Sequence, residues 1–174
     1  MRVIIPVAGA GTRLRPHTFS TPKPLLTVGG KPVLAHILEP ILTLPITEVV
    51  FVLGVMADQM REYIDSHYTF RTRYIVQKEL LGLGYALHLA LEQIGSGPVL
   101  IILGDTIVHC EFNQFIRTGA NVLGVRAVSD PHRFGIAEIS DNRVVGLEEK
   151  PRQPKTNLAL VGLYYFTEST FLNE

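Results

Sequence analysis

The chain has 174 residues, a length within the range of one domain that buries a substantial core. Hydrophobic residues make up 47% and charged residues 18%, and the 16 basic residues balance the 16 acidic ones. Because the formal net charge is zero, no overall field favours nucleic acid or a membrane surface. A phosphate ligand would have to be held by locally placed cations.

The cysteine count and the amino-terminal sequence indicate the cellular compartment of the protein. Cys110 is the one cysteine of the sequence, which excludes an intramolecular disulfide and favours a cytoplasmic setting. We expect Cys110 to be a buried or half-buried small residue. The first apolar stretch is too short for a membrane span and lacks the cleavage region of a signal peptide. A soluble, cytoplasmic protein is therefore expected.

Short apolar runs alternate with helical patterns in the first part of the chain, which predicts βαβ units. The predicted strands cover residues 2–8, 48–53, 73–77 and 98–103. The predicted helices cover residues 31–43, 57–66 and 83–94. Pro40 should kink or divide the first helix, because proline removes a helical hydrogen bond.

The later part of the chain reads as a short helix followed by further strands. The helix is predicted near 111–117, and the strands near 121–128, 135–139, 143–148 and 158–166. Asp141 and Asn142 supply a turn between two of these strands. Since no repeat, low-complexity tract or linker interrupts the pattern, we predict one domain over residues 1–174. The fold class is three-layer α/β/α with a mostly parallel central sheet, which places ligands at the carboxyl ends of the strands.

The segment RVIIPVAGAGTRLRPHTFSTPKP, residues 2–24, carries the strongest functional signal. An apolar strand runs into the small residues Ala8–Gly11, and Thr12 and Arg13 follow at once. Glycines let a backbone approach a polyanion closely and expose consecutive N–H groups. Arg13 and Lys23 add charge that can neutralise phosphate oxygens. The segment predicts a cradle for a triphosphate.

Two well-known phosphate-binding motifs do not fit this segment. A dinucleotide fingerprint needs a third glycine, and Leu14 stands in its place. The spacing and the Gly-Lys-Ser/Thr ending of a Walker A loop are also absent.

Polar residues at two predicted strand ends are further candidates. Asp105 follows the most apolar strand. It is either a residue of a loop or helix cap, or it supplies an oxygen ligand to a Mg²⁺ ion that bridges nucleotide phosphates. Gln77 is either a polar strand end or an amide that pairs with the edge of a pyrimidine base. Gly82 is either a helix entry or a place where a base lies against the backbone.

A carboxylate and an ammonium group end a later strand. Glu149 and Lys150 can be a surface charge pair, or they can divide the contacts to a sugar phosphate. The carboxylate would accept sugar hydroxyls, and the ammonium would face the phosphate. The six histidines show no metal-ligand pairing.

The motifs G-x-G-T-R and P-K-P together resemble the signature of sugar-1-phosphate nucleotidylyltransferases, in particular the glucose-1-phosphate thymidylyl- and uridylyltransferase-like members. The later G-D, F-G, E-K-P and V-G-L-Y segments match the same family in the same order. The resemblance implies a GT-A-like, Rossmann-like core that joins a nucleoside triphosphate to a sugar 1-phosphate with Mg²⁺. The products would be a nucleoside diphosphate sugar and pyrophosphate, and UTP or dTTP with glucose 1-phosphate is the expected pair.

The resemblance also assigns roles to individual residues. The catalytic set comprises Arg13, Lys23 and Asp105, of which Asp105 binds the metal. The nucleotide-binding set comprises Ala8, Gly9, Ala10, Gly11, Thr12, Arg13, Gln77 and Gly82. The sugar-phosphate set comprises Gly135, Glu149, Lys150 and Tyr164. Leu80 and Leu83 depart from the base-reading element of the family, in which a proline and often a threonine stand at these positions.

Family members usually continue with further strands and a second metal-binding Asp in a W-x-D-x-G-like segment, which this sequence lacks. The C-terminally short chain is therefore expected to be either an active enzyme or a nucleotide- and sugar-phosphate-binding module without turnover. A glycosyltransferase of related fold is disfavoured, since no D-x-D motif follows the central strand. Neither nucleic acid nor a membrane is an expected partner, and a homo-oligomer remains open.

Overall fold

The computed structural model describes residues 1–79 and 81–173, without the side chains of Phe171 and Asn173. The departure from the family pattern at Leu80 lies outside these residues. The strands are β1 Arg2–Val7, β2 Thr27–Val28, β3 Lys31–Pro32, β4 Glu48–Leu53, β5 Thr72–Val76, β6 Val99–Ile102, β7 Val122–Ala127, β8 Gly135–Ser140, β9 Arg143–Glu149 and β10 Leu158–Phe166. The α-helices are α1 Val33–Leu38, α2 Ala57–His67, α3 Leu83–Leu91 and α4 Phe112–Ile116.

The large sheet is mixed, with a parallel and an antiparallel part. Strands β5, β4, β1 and β6 lie side by side and are parallel, as expected for βαβ units. Strand β10 then pairs antiparallel with β6, β7 and β8, and β9 pairs antiparallel with β8. The mostly parallel central sheet is confirmed for the four early strands. The later strands extend the sheet in antiparallel fashion.

Helices cover both faces of the sheet, which confirms the three-layer class. Alternate residues of β1 point to opposite faces. Val3 and Ile5 belong to the apolar cluster that also contains residues of α1 and α2, whereas Ile4 belongs to the cluster with α3. All six residues of β4 are buried, as expected for a strand that is covered on both sides.

Two helix boundaries and the exposure of the cysteine differ from the predictions. The helix predicted over 31–43 begins only at Val33, because Gly29 and Gly30, both with positive φ, form the turn of a hairpin that includes Lys31 and Pro32. Pro40 divides the segment as predicted, since α1 ends at Leu38 and a 3₁₀ turn follows. Helix α3 ends at Leu91, three residues early. Cys110 is exposed because it lies in the loop between β6 and α4.

The turn between β8 and β9 is the one predicted from the sequence. Asp141 and Asn142 both have positive φ values, 48° and 60°, as a two-residue hairpin turn with right-handed strand twist requires. Across the described residues, no helix is both long and apolar enough to cross a membrane.

Candidate functional site

A cavity of about 500 Å³ opens at the carboxyl ends of β1, β5 and β6. Every residue that the sequence predicted for nucleotide binding, and each of the three predicted catalytic residues, lines this cavity. These residues are Ala8, Gly9, Ala10, Gly11, Thr12, Arg13, Lys23, Gln77, Gly82 and Asp105. The parallel strands explain this convergence, because their carboxyl ends meet at one edge of the sheet.

The loop after β1 is held by a residue that the sequence analysis missed. Gly11 has a φ of +61°, and a Cβ atom there would lie 2.8 Å from the Thr18 Cγ2 atom. The Thr18 hydroxyl donates a hydrogen bond of 2.8 Å to the Gly11 carbonyl, and Thr18 is buried. Glycine is therefore required here by the left-handed backbone and by the close packing against Thr18, and it also leaves room for a ligand. No local motif marks Thr18, because its partner is seven residues away.

Two further glycines let neighbouring turns pack directly against the end of β1. A Cβ atom at Gly54 would overlap the carbonyl oxygen of Ala8. A Cβ atom at Gly104 would overlap Val7, and the Gly104 N–H donates a hydrogen bond of 3.2 Å to the Pro6 carbonyl. The turns after β4 and β6 thereby fix the start of the glycine loop from both sides.

Lys23 and Asp105 form an ion pair inside the cavity. The Lys23 Nζ atom lies 2.7 Å from the Asp105 Oδ2 atom, and the two side chains are 32% and 51% exposed. Lys23 begins a 3₁₀ turn, whereas Asp105 lies in the turn after β6. Arg13 lies on a separate 3₁₀ turn, Thr12–Leu14, and is exposed. Two cations and one carboxylate thus face the same cavity.

Gln77 presents a buried, unpaired donor at the cavity wall. It follows β5 and is only 4% exposed, and its backbone N–H donates a hydrogen bond of 2.8 Å to the Leu53 carbonyl. Its side-chain Nε2 atom has no hydrogen-bond partner within the described part of the chain. A buried donor without a partner is costly, so a ligand that accepts from it would relieve that cost.

Apolar side chains of α3 line the same cavity as this amide. Gly82 has a φ of +95° and precedes the helix, with open space where a Cβ atom would stand. Leu83 and Ala86, on the first turns of α3, also line the cavity. A cavity lined by an amide and by apolar side chains suits a flat heterocyclic base.

The predicted sugar-phosphate residues lie together, but outside this cavity. Gly135 of β8 and Glu149 of β9 are directly opposite each other, and a Cβ atom at Gly135 would lie 3.0 Å from the Glu149 Oε2 atom. The Lys150 Nζ atom lies 2.8 Å from the Glu149 Oε1 atom. The Lys150 N–H donates a hydrogen bond of 3.0 Å to the Phe134 carbonyl.

Tyr164 of β10 is half-buried, and the charge of the Glu149 carboxylate affects its pKa. Burial raises the pKa of Tyr164, the Glu149 carboxylate raises it further, and a backbone hydrogen bond with Gly162 opposes both effects. None of the four predicted sugar-phosphate residues is among those that line the 500 Å³ cavity. The structure therefore has two separate groups of candidate residues.

Within the described residues, the cavity offers a metal ion one carboxylate, so the ion would need further ligands from the substrate. No group of three or more His, Cys, Asp or Glu side chains within residues 1–79 and 81–173 is arranged to hold a metal ion. Among the described residues that line the cavity, Asp105 alone offers a carboxylate. Such a donor set fits Mg²⁺, which commonly takes one or two carboxylates and completes its coordination with substrate phosphates and water.

The cavity lies at the carboxyl edge of the central sheet of an α/β fold with helices on both faces. The profile of the family described as Nucleotidyl transferase matches residues 2–174, and the chain belongs to this family.

Similar proteins carry more specific names. The chain is 40% identical to a glucose-1-phosphate thymidylyltransferase of Streptomyces antibioticus and 37% identical to one of Streptomyces griseus, over 96% of its length in both cases. It spans about half the length of these curated relatives, 49% of each. A solved structure described as a putative glucose-1-phosphate thymidylyltransferase of Bacillus anthracis, in complex with sucrose, superposes with a TM-score of 0.89 at 28% identity. That match covers 99% of this chain and 73% of the solved one.

Proposed function

We propose that this protein is a sugar-1-phosphate nucleotidylyltransferase, with dTTP or UTP and glucose 1-phosphate as its substrates. The observation that carries the proposal is the convergence of the glycine loop, Arg13, Lys23, Gln77 and Asp105 on one cavity. Membership of the nucleotidyl transferase family and the names of the relatives support it. The setting is proposed to be cytoplasmic.

The proposed reaction requires charge stabilisation more than acid–base chemistry. An oxygen of the sugar phosphate attacks the α-phosphorus in line, and a new P–O bond forms while the bond to the β-phosphate oxygen breaks. Pyrophosphate leaves with the electron pair of that bond. Arg13 neutralises the charge that builds on the leaving pyrophosphate, and Lys23 holds the two reacting phosphates together. Catalysis then rests on positioning and on fixed positive charge.

Asp105 is proposed to hold Mg²⁺ jointly with the triphosphate. The family is generally metal-dependent, and a single carboxylate in a phosphate-binding cavity fits an ion of this type. When bound, the ion would supply positive charge to the phosphate oxygens. Because the Lys23 ammonium group is bonded to the Oδ2 atom of that carboxylate, Lys23 and the ion would compete for it.

The sugar half of the site is proposed to lie at β8 and β9. The Gly135 backbone and the Glu149 carboxylate would contact sugar hydroxyls, and Lys150 would contact the sugar phosphate. The ion pair between Glu149 and Lys150 is largely exposed, 70% and 59%, so opening it for a substrate is inexpensive. Tyr164 would border the sugar from β10.

A two-part experiment separates the enzyme from a binding module. Pyrophosphate release is assayed with glucose 1-phosphate and Mg²⁺ across dTTP, UTP, CTP, GTP and ATP, and the same triphosphates are titrated by calorimetry. We expect release with dTTP or UTP. Binding without release from any triphosphate would instead favour a module without turnover, and neither binding nor release would contradict both hypotheses.

Replacing Gln77 with leucine should separate nucleotide binding from stability. Because Leu fills a similar volume without the unpaired buried donor, we expect Gln77→Leu to leave stability unchanged or raised. One or two lost hydrogen bonds to the base, each about 1 kcal/mol, should raise the dissociation constant of the triphosphate about 5- to 30-fold. Calorimetry and thermal unfolding measure the two effects. Gln93→Leu, at an exposed position, serves as the control.

A further inference from the structure

Strand β10 connects the two groups of candidate residues. Its second half pairs with β6, where Leu163 lies opposite Ile102, and β6 leads directly into the turn with Asp105. Its first half pairs with β8, where Ala159 lies opposite Ile136, the neighbour of Gly135. The relative placement of the two groups is therefore set by the part of β10 between residues 159 and 163.

That part of β10 contains a bulge. On the β7 side, Leu160 lies opposite Val125 and Tyr164 lies opposite Leu123, so three residues of β10 face one residue of β7. Gly162, within the bulge, has a φ of +75°, a conformation that favours glycine. A bulge of this kind bends a strand and redirects its side chains.

Gly162 contacts the turn that carries Asp105. Its carbonyl accepts a hydrogen bond of 2.9 Å from the Leu103 N–H, and the Leu103 carbonyl accepts one of 3.1 Å from the Thr106 N–H. A Cβ atom at Gly162 would lie 2.7 Å from the Leu103 Cγ atom and 2.8 Å from its Cδ1 atom. Leu103 itself lines the cavity. Only a residue without a side chain allows this approach.

Gly162 is also close in the chain to the other group. It precedes Tyr164 by two residues on β10, and while burial raises the pKa of Tyr164, the Glu149 carboxylate raises it further. One glycine thus contacts a wall of the nucleotide cavity and lies two residues before a side chain beside the sugar-phosphate candidates.

We propose that Gly162 is a positioning residue, whose bulge sets the distance between the Asp105 turn and the pair formed by Gly135 and Glu149. The inference rests on the proposed function, because only a reaction between two bound substrates requires that distance to be fixed. An in-line attack needs the reacting atoms about 3–3.5 Å apart, and a displacement of about 1 Å can cost roughly 100-fold in rate.

The test compares two alanine substitutions at glycines with similar positive φ values. In Gly162→Ala the new methyl group meets Leu103, whereas Gly119, with a φ of +67°, has no atom within 4 Å of a Cβ position. Gly119→Ala therefore imposes the same kind of backbone strain without the displacement. Leu103→Ala, combined with Gly162→Ala, removes the Cγ and Cδ1 atoms that the methyl group meets.

We expect Gly162→Ala to lower kcat about tenfold to 100-fold, while the dissociation constants of triphosphate and sugar 1-phosphate, each measured alone, change by less than about threefold. Gly119→Ala should keep the kcat of the unsubstituted protein. The double variant should recover a large part of the lost kcat. Its kcat should therefore lie closer to that of Leu103→Ala than the kcat of Gly162→Ala lies to that of the unsubstituted protein. Crystal structures should show the Leu103–Thr106 turn displaced from Gly135 in Gly162→Ala only.

Several outcomes would overturn this inference. These are an unchanged kcat in Gly162→Ala, an equal loss in Gly119→Ala, equal losses of binding and turnover, or no recovery in the double variant. If Gly162→Ala fails to fold, the double variant decides: a folded protein with a kcat within about threefold of that of Leu103→Ala supports the clash with Leu103, and a larger loss contradicts it. Absence of turnover in the unsubstituted protein would contradict the proposed function, whereas an undisplaced turn in the variant structure would contradict only the positioning role.

Discussion

Replacing Arg13 with alanine is expected to lower pyrophosphate release by up to about 10³-fold while the fold stays intact. A fixed cation that neutralises charge in the transition state accounts for losses of roughly 10²- to 10³-fold when it is removed, and bidentate Arg contacts are among the stronger ones. The Arg13 side chain is exposed and lies at the cavity, so its removal leaves no hole in the core. Turnover and thermal unfolding are measured on the same preparation.

Two companion variants sharpen this result. Arg13→Lys keeps the charge but loses the planar, bidentate geometry, so its activity should fall between those of the unsubstituted protein and Arg13→Ala. Arg117→Ala removes another exposed arginine, which follows α4, and should change neither turnover nor stability. Near-normal pyrophosphate release by Arg13→Ala would contradict the proposed function.

The nucleotide side of the site could be predicted from the sequence for a physical reason. Its residues are either contiguous, as in Ala8–Arg13, or stand directly after apolar strands, as Gln77 and Asp105 do. Parallel strands bring their carboxyl ends together whatever the details of the connecting helices. Local pattern and topology therefore sufficed to place these residues around one cavity, although their roles remain proposals.

The connection between the two groups of candidate residues could not be predicted in the same way. It depends on antiparallel pairing of β10 with β6, β7 and β8, which are far apart in sequence, and on a bulge at Gly162 that no periodicity marks. Thr18 and Gly54 escaped notice for a similar reason, since their contacts to Gly11 and Ala8 appear only after folding. The wrong start of the first helix has a local cause, because residues 29–30 form a hairpin turn where the pattern indicated a helix.

The ion pair between Lys23 and Asp105 leads to a second prediction with a large effect. In the free protein the lysine ammonium occupies the carboxylate that is proposed to bind the metal, at 2.7 Å. Lysine therefore competes with a divalent cation for Asp105 and also repels it. A divalent and a monovalent cation about 4 Å apart repel by roughly 2 kcal/mol even in bulk water, and salt reduces this value.

Replacing Lys23 with methionine should therefore change metal binding and turnover in opposite directions. We expect the affinity of the nucleotide-free protein for Mn²⁺, used as a spectroscopic substitute for Mg²⁺, to rise about tenfold, since the competing charge is gone. Pyrophosphate release should fall about 10²-fold, because the reacting phosphates lose a shared cation. Electron paramagnetic resonance of free Mn²⁺ measures the first effect, and the release assay measures the second.

Two controls assign the effect to this ion pair. Asp105→Asn should weaken Mn²⁺ binding both in the otherwise unsubstituted protein and in combination with Lys23→Met, since the same carboxylate is the ligand in each. Lys31→Met removes a lysine that pairs with Glu39 and is not among the residues that line the cavity, so it should leave Mn²⁺ affinity unchanged. An unchanged or lower Mn²⁺ affinity in Lys23→Met would show that the lysine does not compete for Asp105. Because that titration involves neither substrate nor turnover, it tests the ion pair independently of the reaction.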